Sequence, residues 1–144
     1  MSNEPRPSRG YLVGPGEGVP NRSPRVKASR QSTGGSLTLL KLTIEGGPRR
    51  HVHTREDESF YVLNGTLDVR CGDDRFEVAP ESFVFLPRNV PHSPRAVGGP
   101  ATVLMIVTPG GLEDYLSEFK AATDAHADQA QLTAIMDKYG IAPA

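Results

Sequence analysis

The feature that most restricts this chain is its punctuation. Runs of β-branched, aromatic and aliphatic residues at 36–44, 58–63, 66–70, 75–78, 83–86 and 101–107 are short, and each is closed by Gly, Pro, Asn or Asp. Short runs of this composition between turn residues read as strands, and their spacing is that of a barrel or sandwich. Fifteen Gly and thirteen Pro supply the turns. Asn64-Gly65 suits the left-handed backbone of a two-residue type I′ hairpin, and Cys71-Gly72-Asp73-Asp74 marks the next reversal. The spacing therefore predicts a meander of 58–63, 66–70 and 75–78.

After Pro109-Gly110 the period changes. Leu112, Tyr115, Leu116 and Phe119 fall at i, i+3, i+4 and i+7, the apolar face of a helix. A second helix is expected to open near Thr123 or Asp124, to carry His126 on its solvated side and to bury Leu132, Ile135, Met136 and Tyr139 before stopping at Gly140. Three regions result: a flexible arm over 1–24 with a short strand at Tyr11–Val13, a β-barrel over 25–109 and a helical extension over 110–144.

A formal net charge of −1 removes the cationic excess that phosphate binding needs, so nucleic acid is not an expected partner. No window approaches the ~18 apolar residues of a membrane span, and MSNEPRPSRG lacks the apolar core of a secretory leader. The single cysteine, Cys71, can form no internal disulfide. Its acidic neighbours Asp73 and Asp74 would raise its pKa rather than activate it. A cytoplasmic protein is expected.

The chemistry concentrates in one stretch. On a strand, side chains at i and i+2 share a face, so His51 and His53 project together. Two imidazoles side by side in a barrel interior are costly unless something satisfies them, and a divalent cation does so. Glu58 opens the next strand where it can reach the same point, with Glu56 and Asp57 as alternative carboxylates. His92 follows a loop stiffened by Pro87 and Pro91. Imidazoles with one carboxylate suit iron, manganese, nickel, cobalt, copper or zinc better than calcium or magnesium.

These residues resemble the first motif of the cupin superfamily: a Gly, HxH, a Glu, six residues and a second Gly. His51-x-His53, four residues, Glu58, six residues and Gly65 match it, while Gly46 stands one residue nearer to His51 than is usual. Gly72, Pro80-Glu81-Ser82, Pro87 and His92 resemble the second motif, with Ser82 where Gly is usual and Ala96 where Asn is frequent. The resemblance covers about residues 36–107, and the segments 109–115 and 138–141 look like the tail of quercetin 2,3-dioxygenase-like cupins. It implies an all-β jelly-roll barrel with two C-terminal α-helices, and a divalent metal on His51, His53, Glu58 and His92. It further implies that Glu58 doubles as the base for a bound enol, on the expectation that burial raises its proton affinity.

Strand alternation puts Phe60 and Val62 on the face of Glu58, and one of Phe83 or Phe85 is expected to join them as substrate pocket. Core packing is the plainer role for these aromatics, as it is for Tyr115 and Phe119. The activity implied is a metal-dependent dioxygenase acting, with dioxygen, on a small aromatic or enolisable molecule, in a homodimer. The alternatives are a non-oxidative cupin, such as a polyketide cyclase or isomerase, and a non-catalytic small-molecule-binding cupin.

Overall fold

Alternation gives each run one face to bury, and in the computed structural model, which describes residues 4–144, those faces meet between two antiparallel sheets. The strands are β1 (Val26–Ala28), β2 (Thr38–Ile44), β3 (His51–His53), β4 (Asp57–Asn64), β5 (Leu67–Cys71), β6 (Asp74–Val78), β7 (Phe83–Leu86), β8 (His92–Ala96) and β9 (Ala101–Thr108). Two helices, α1 (Leu112–Asp124) and α2 (Gln129–Lys138), follow, and the chain returns to the sheets as β10 (Ile141–Pro143). One sheet has the order β1-β2-β9-β4-β7 and the other β10-β3-β8-β5-β6. Leu40, Phe60, Val62, Val103, Met105 and Val107 of the first pack in one core with Leu67, Val69, Val78 and Ile141 of the second. Each such side chain, withdrawn from water, stabilises the fold by about 1.5–3 kcal/mol.

The expected meander does not form as a whole. β5 and β6 are a hairpin, paired from Leu67↔Val78 to Cys71↔Asp74, but β4 pairs with β7 and β9 and lies in the other sheet. Asn64-Gly65 is therefore a corner between sheets. Gly65 has φ 82°, and a Cβ there would stand 2.6 Å from the Pro100 carbonyl oxygen and 2.7 Å from Ala101 Cα. The crossing needs both the left-handed backbone and the missing side chain.

Other expectations are corrected in detail. Tyr11–Val13 is not a strand; the Tyr11 hydroxyl donates to Ser32 Oγ at 2.8 Å, and no sheet edge takes up this stretch. Residues 1–3 of the expected arm lie outside the described residues. α1 runs through Thr123 and Asp124, and the second helix is capped instead by Asp128. Its carboxylate accepts the Gln131 N–H at 2.8 Å while the Gln131 side chain accepts the Asp128 N–H at 2.9 Å, a capping box that outcompetes the earlier site. His126 lies exposed in the turn between the helices. Leu116 is 37% exposed, whereas Tyr115 packs its ring 5.4 Å from Phe119 and 5.6 Å from Tyr139. The extension ends in β10, whose three residues pair Ile141↔His53, Ala142↔Val52 and Pro143↔His51.

The start of α1 is fastened by a buried acid. Glu113, 3% exposed, accepts the Arg30 N–H at 2.9 Å, the Gly111 N–H at 3.2 Å and the Thr38 hydroxyl. It ties the helix to β2 and to the loop before it.

The stabilities of three variants check this account. Gly65→Ala should lower the unfolding free energy in urea by at least ~2 kcal/mol. Gly98→Ala, with φ 75° but nothing within 4 Å of its Cβ, should cost only ~1 kcal/mol. Glu113→Ala strands the Arg30, Gly111 and Thr38 donors and should cost about 2–4 kcal/mol; a loss within error of wild type would remove its fastening role.

Candidate metal centre

Three imidazoles share one face of the second sheet. His51 and His53 are i and i+2 on β3, and His51 is paired directly with His92 across the ladder to β8. Their ring centroids stand 4.7 Å (His51–His92), 5.0 Å (His51–His53) and 5.3 Å (His53–His92) apart. Glu58 arrives from the opposite sheet, where β4 holds it against Leu86 of β7 and Val107 of β9. Its Oε2 reaches to 2.9 Å from His92 Nε2 and 3.4 Å from His53 Nε2. One donor atom from each of the four residues lies within 4.8 Å of the others.

His53, Glu58 and His92 are buried and His51 is partly exposed, so the cluster is open to solvent on the His51 side. Two rings are oriented from behind. His51 Nδ1 lies 2.7 Å from the Arg49 carbonyl and His53 Nδ1 lies 3.1 Å from Glu56 Oε1. Carbonyl and carboxylate oxygens only accept, so each Nδ1 carries a proton, and in the neutral ring Nε2 is the nitrogen left to ligate.

At the middle of the cluster the polar groups are not satisfied. Glu58 Oε2 and both ring nitrogens of His92 are buried without a hydrogen-bond partner. Such atoms cost about 1–3 kcal/mol each when left alone. Three imidazole nitrogens and one carboxylate oxygen are the donor set of a first-row transition ion, and the residues fit one.

Electrostatics follows the same crowding. Burial lowers the His51 pKa below its ordinary 6.5, with His92 and His53 adding to the effect against the opposing pull of the Arg49 carbonyl and Glu58. Burial pushes the Glu58 carboxyl upward, but contact with His92 and the charges of the three imidazoles outweigh it and hold the group below its usual value. The expected rise in its proton affinity is thus reversed, because the barrel interior around Glu58 is lined by imidazoles as well as hydrocarbon.

The alternative carboxylates stand elsewhere. Asp57 accepts the Arg88 N–H at 2.9 Å and its guanidinium at 3.1 Å, which holds its carboxyl below the usual range. Glu56 sits behind His53 rather than beside Glu58. Phe60 and Val62 do share the face of Glu58, fully buried in the core. Phe83 and Phe85 do not join them: they are 59% and 50% exposed, while Val84 and Leu86 turn inward. The register Glu58↔Leu86 and Phe60↔Val84 decides this, since residues opposite one another share a face. Cys71, also buried, has its thiol pushed up by burial and by Asp74. Surface cavities of about 300 and 190 Å³ open elsewhere, and neither is lined by the four clustered residues. The sequence reading overlooked the orienting role of Glu56; its only signal is a carboxylate three residues beyond His53.

Comparison with known proteins bears on the family and the fold. The Cupin domain family matches residues 39–107. Quercetin 2,3-dioxygenase of Bacillus subtilis is 23% identical over 122 residues, which are 81% of this chain but only 36% of that relative. KdgF of a Halomonas species superposes with a TM-score of 0.51 at 19% identity, over 60% of this chain and 76% of its own. A cupin-2 domain containing protein of Shewanella frigidimarina superposes with a TM-score of 0.48 at 25% identity, over 55% and 76%. With two facing antiparallel sheets and the matched stretch holding all four clustered residues, the fold is the cupin jelly roll, and residues 39–107 are its Cupin domain.

Proposed function

We propose that the chain is a metal-dependent cupin enzyme of the quercetinase-like type, using dioxygen to oxidise a small aromatic or enolisable substrate in the cytoplasm. The observation that carries the reading is the convergence of His51, His53, His92 and Glu58 on one point, where Glu58 Oε2 and both ring nitrogens of His92 are buried with no hydrogen-bond partner among the described residues. The distant likeness to a quercetin 2,3-dioxygenase supports a cupin domain, and the oxidative reaction is our reading of the metal centre.

The four residues would hold one iron, manganese, nickel, cobalt, copper or zinc ion, which supplies Lewis acidity and, for the redox-active metals, a site for dioxygen. The chain's own groups set the stage for it. Arg49 and Glu56 each hold a proton on Nδ1 of His51 and His53, which leaves Nε2 of the neutral ring for the ion. Glu58, held ionised by its neighbours, can accept a proton only from an acid stronger than a free enol, so its role as base depends on prior activation of the substrate. Phe60 and Val62 seal the inner side against water, which leaves the exposed edge of His51 as the way in. Phe83 and Phe85, exposed on the edge strand β7, offer an apolar surface to a second copy, in keeping with a homodimer.

Elemental analysis of protein purified without added metal should find about one transition ion per chain, and His92→Ala should weaken its retention more than ~100-fold. Metal-loaded protein should consume oxygen with flavonols or related enols. Turnover that persists without oxygen, or with zinc, would replace this reading by a non-oxidative cyclase or isomerase. A retained ligand with no product would replace it by a binding module.

Metal affinity should also depend on pH with a defined sign. Protons compete with a cation for imidazole, and His51 titrates below 6.5. Competition at His51 is therefore weaker near neutrality than for an ordinary imidazole, and it grows as the pH falls. An isothermal titration series should show affinity falling on acidification, not on alkalinisation.

A further inference from the structure

We infer that Glu56 is a positioning residue of the centre, acting through His53. The inference rests on the reading of His51, His53, Glu58 and His92 as a metal site. Glu56 Oε1 accepts the Nδ1–H of His53 at 3.1 Å, with side-chain exposures of 12% and 4%. A hydrogen bond between groups so shielded resists exchange with water and is stronger than its surface counterpart.

The neighbouring charges are committed elsewhere. Arg55 donates to the Lys138 carbonyl at 2.9 Å, and Asp57 is taken by Arg88. The three rings consequently differ in what stands behind them. His51 has a neutral carbonyl, His92 Nδ1 has no partner, and His53 faces an anion. A carboxylate behind an imidazole fixes its tautomer and raises the basicity of the opposite nitrogen. His53 alone of the three is thereby fixed by an anion, its Nε2 held toward Glu58 at 3.4 Å.

Glu56 lies on the short crossing from β3 to β4 and lines the ~300 Å³ cavity with Arg55, Asp114 and Tyr139, outside the hydrophobic core. Replacing it removes no core packing, so variants are expected to fold.

Two readouts on the full chain test the inference. In metal-free protein labelled with ¹⁵N-histidine, long-range ¹⁵N–¹H NMR should show His53 protonated at Nδ1 and bare at Nε2. Glu56→Gln, whose amide oxygen still accepts, should keep that pattern, and Glu56→Ala should place a proton on Nε2. In titrations with Zn²⁺ and Co²⁺, Glu56→Ala should weaken binding about 10–100-fold, with partial recovery in Glu56→Gln. Asp57→Asn, which removes the same charge one residue away, should bind as wild type does. His53 protonated at Nε2 in the wild type would overturn the inference, as would Glu56→Ala binding metal with wild-type affinity. Wild-type protein that takes up no metal would overturn the metal-site reading itself, whatever the tautomer of His53.

Discussion

Everything near the centre depends on polar side chains being desolvated together between two sheets. Two imidazoles and a carboxylate withdrawn from water, with a third imidazole half-buried beside them, would each be unfavourable alone. Here each is the partial remedy for the others: the imidazoles keep Glu58 ionised against the pull of burial, and Glu58 offers His53 and His92 an oxygen within 3.4 Å. Because the histidines ride on β3 and β8 while the carboxylate rides on β4, the geometry of the cluster is set by how the two sheets pack. Phe60 and Val62, the next inward residues after Glu58, therefore serve the site through packing: buried in the core, they hold β4 at its depth.

The resemblance to a family and the local pattern together made the four clustered residues legible, since HxH needs only an extended backbone to put two imidazoles on one face. The choice among Glu56, Asp57 and Glu58 was not decided by periodicity. It is decided by pairing, in which Glu58 falls opposite both Leu86 and Val107 and so faces inward. Strand pairing is also what local residues could not reveal at Asn64-Gly65. The dipeptide signals a tight turn correctly, yet whether the chain then folds back or passes to the other sheet depends on contacts with Pro100 and Ala101, far along the chain.

Phe83 and Phe85 misled for a related reason. The run FVFL is apolar at every position, so alternation carries no information about which face is buried. Its partner strand supplies it. The second helix shows the converse case: Asp128 and Gln131 are a legible capping pair, passed over because Thr123 and Asp124 are equally good caps taken singly. Glu113 was hidden in another way, as a buried acid in an amphipathic pattern that reads as a solvated position, and only the converging donors of Arg30, Gly111 and Thr38 explain its depth.

The strand that carries two of the histidines is three residues long and is bordered on one side by β8 and on the other by β10. β10 follows it in sequence by about 90 residues (141 − 51), and beyond the ladder the Gly140 carbonyl accepts from the Thr54 N–H while Arg50 accepts from the Ala144 N–H. During synthesis, the His51–His53 segment thus emerges long before its outer neighbour exists. Until that late arrival it presents an open β edge, the surface on which nascent chains join one another. The closing stretch serves this protein as a selvedge, finishing a border that would otherwise fray into its copies.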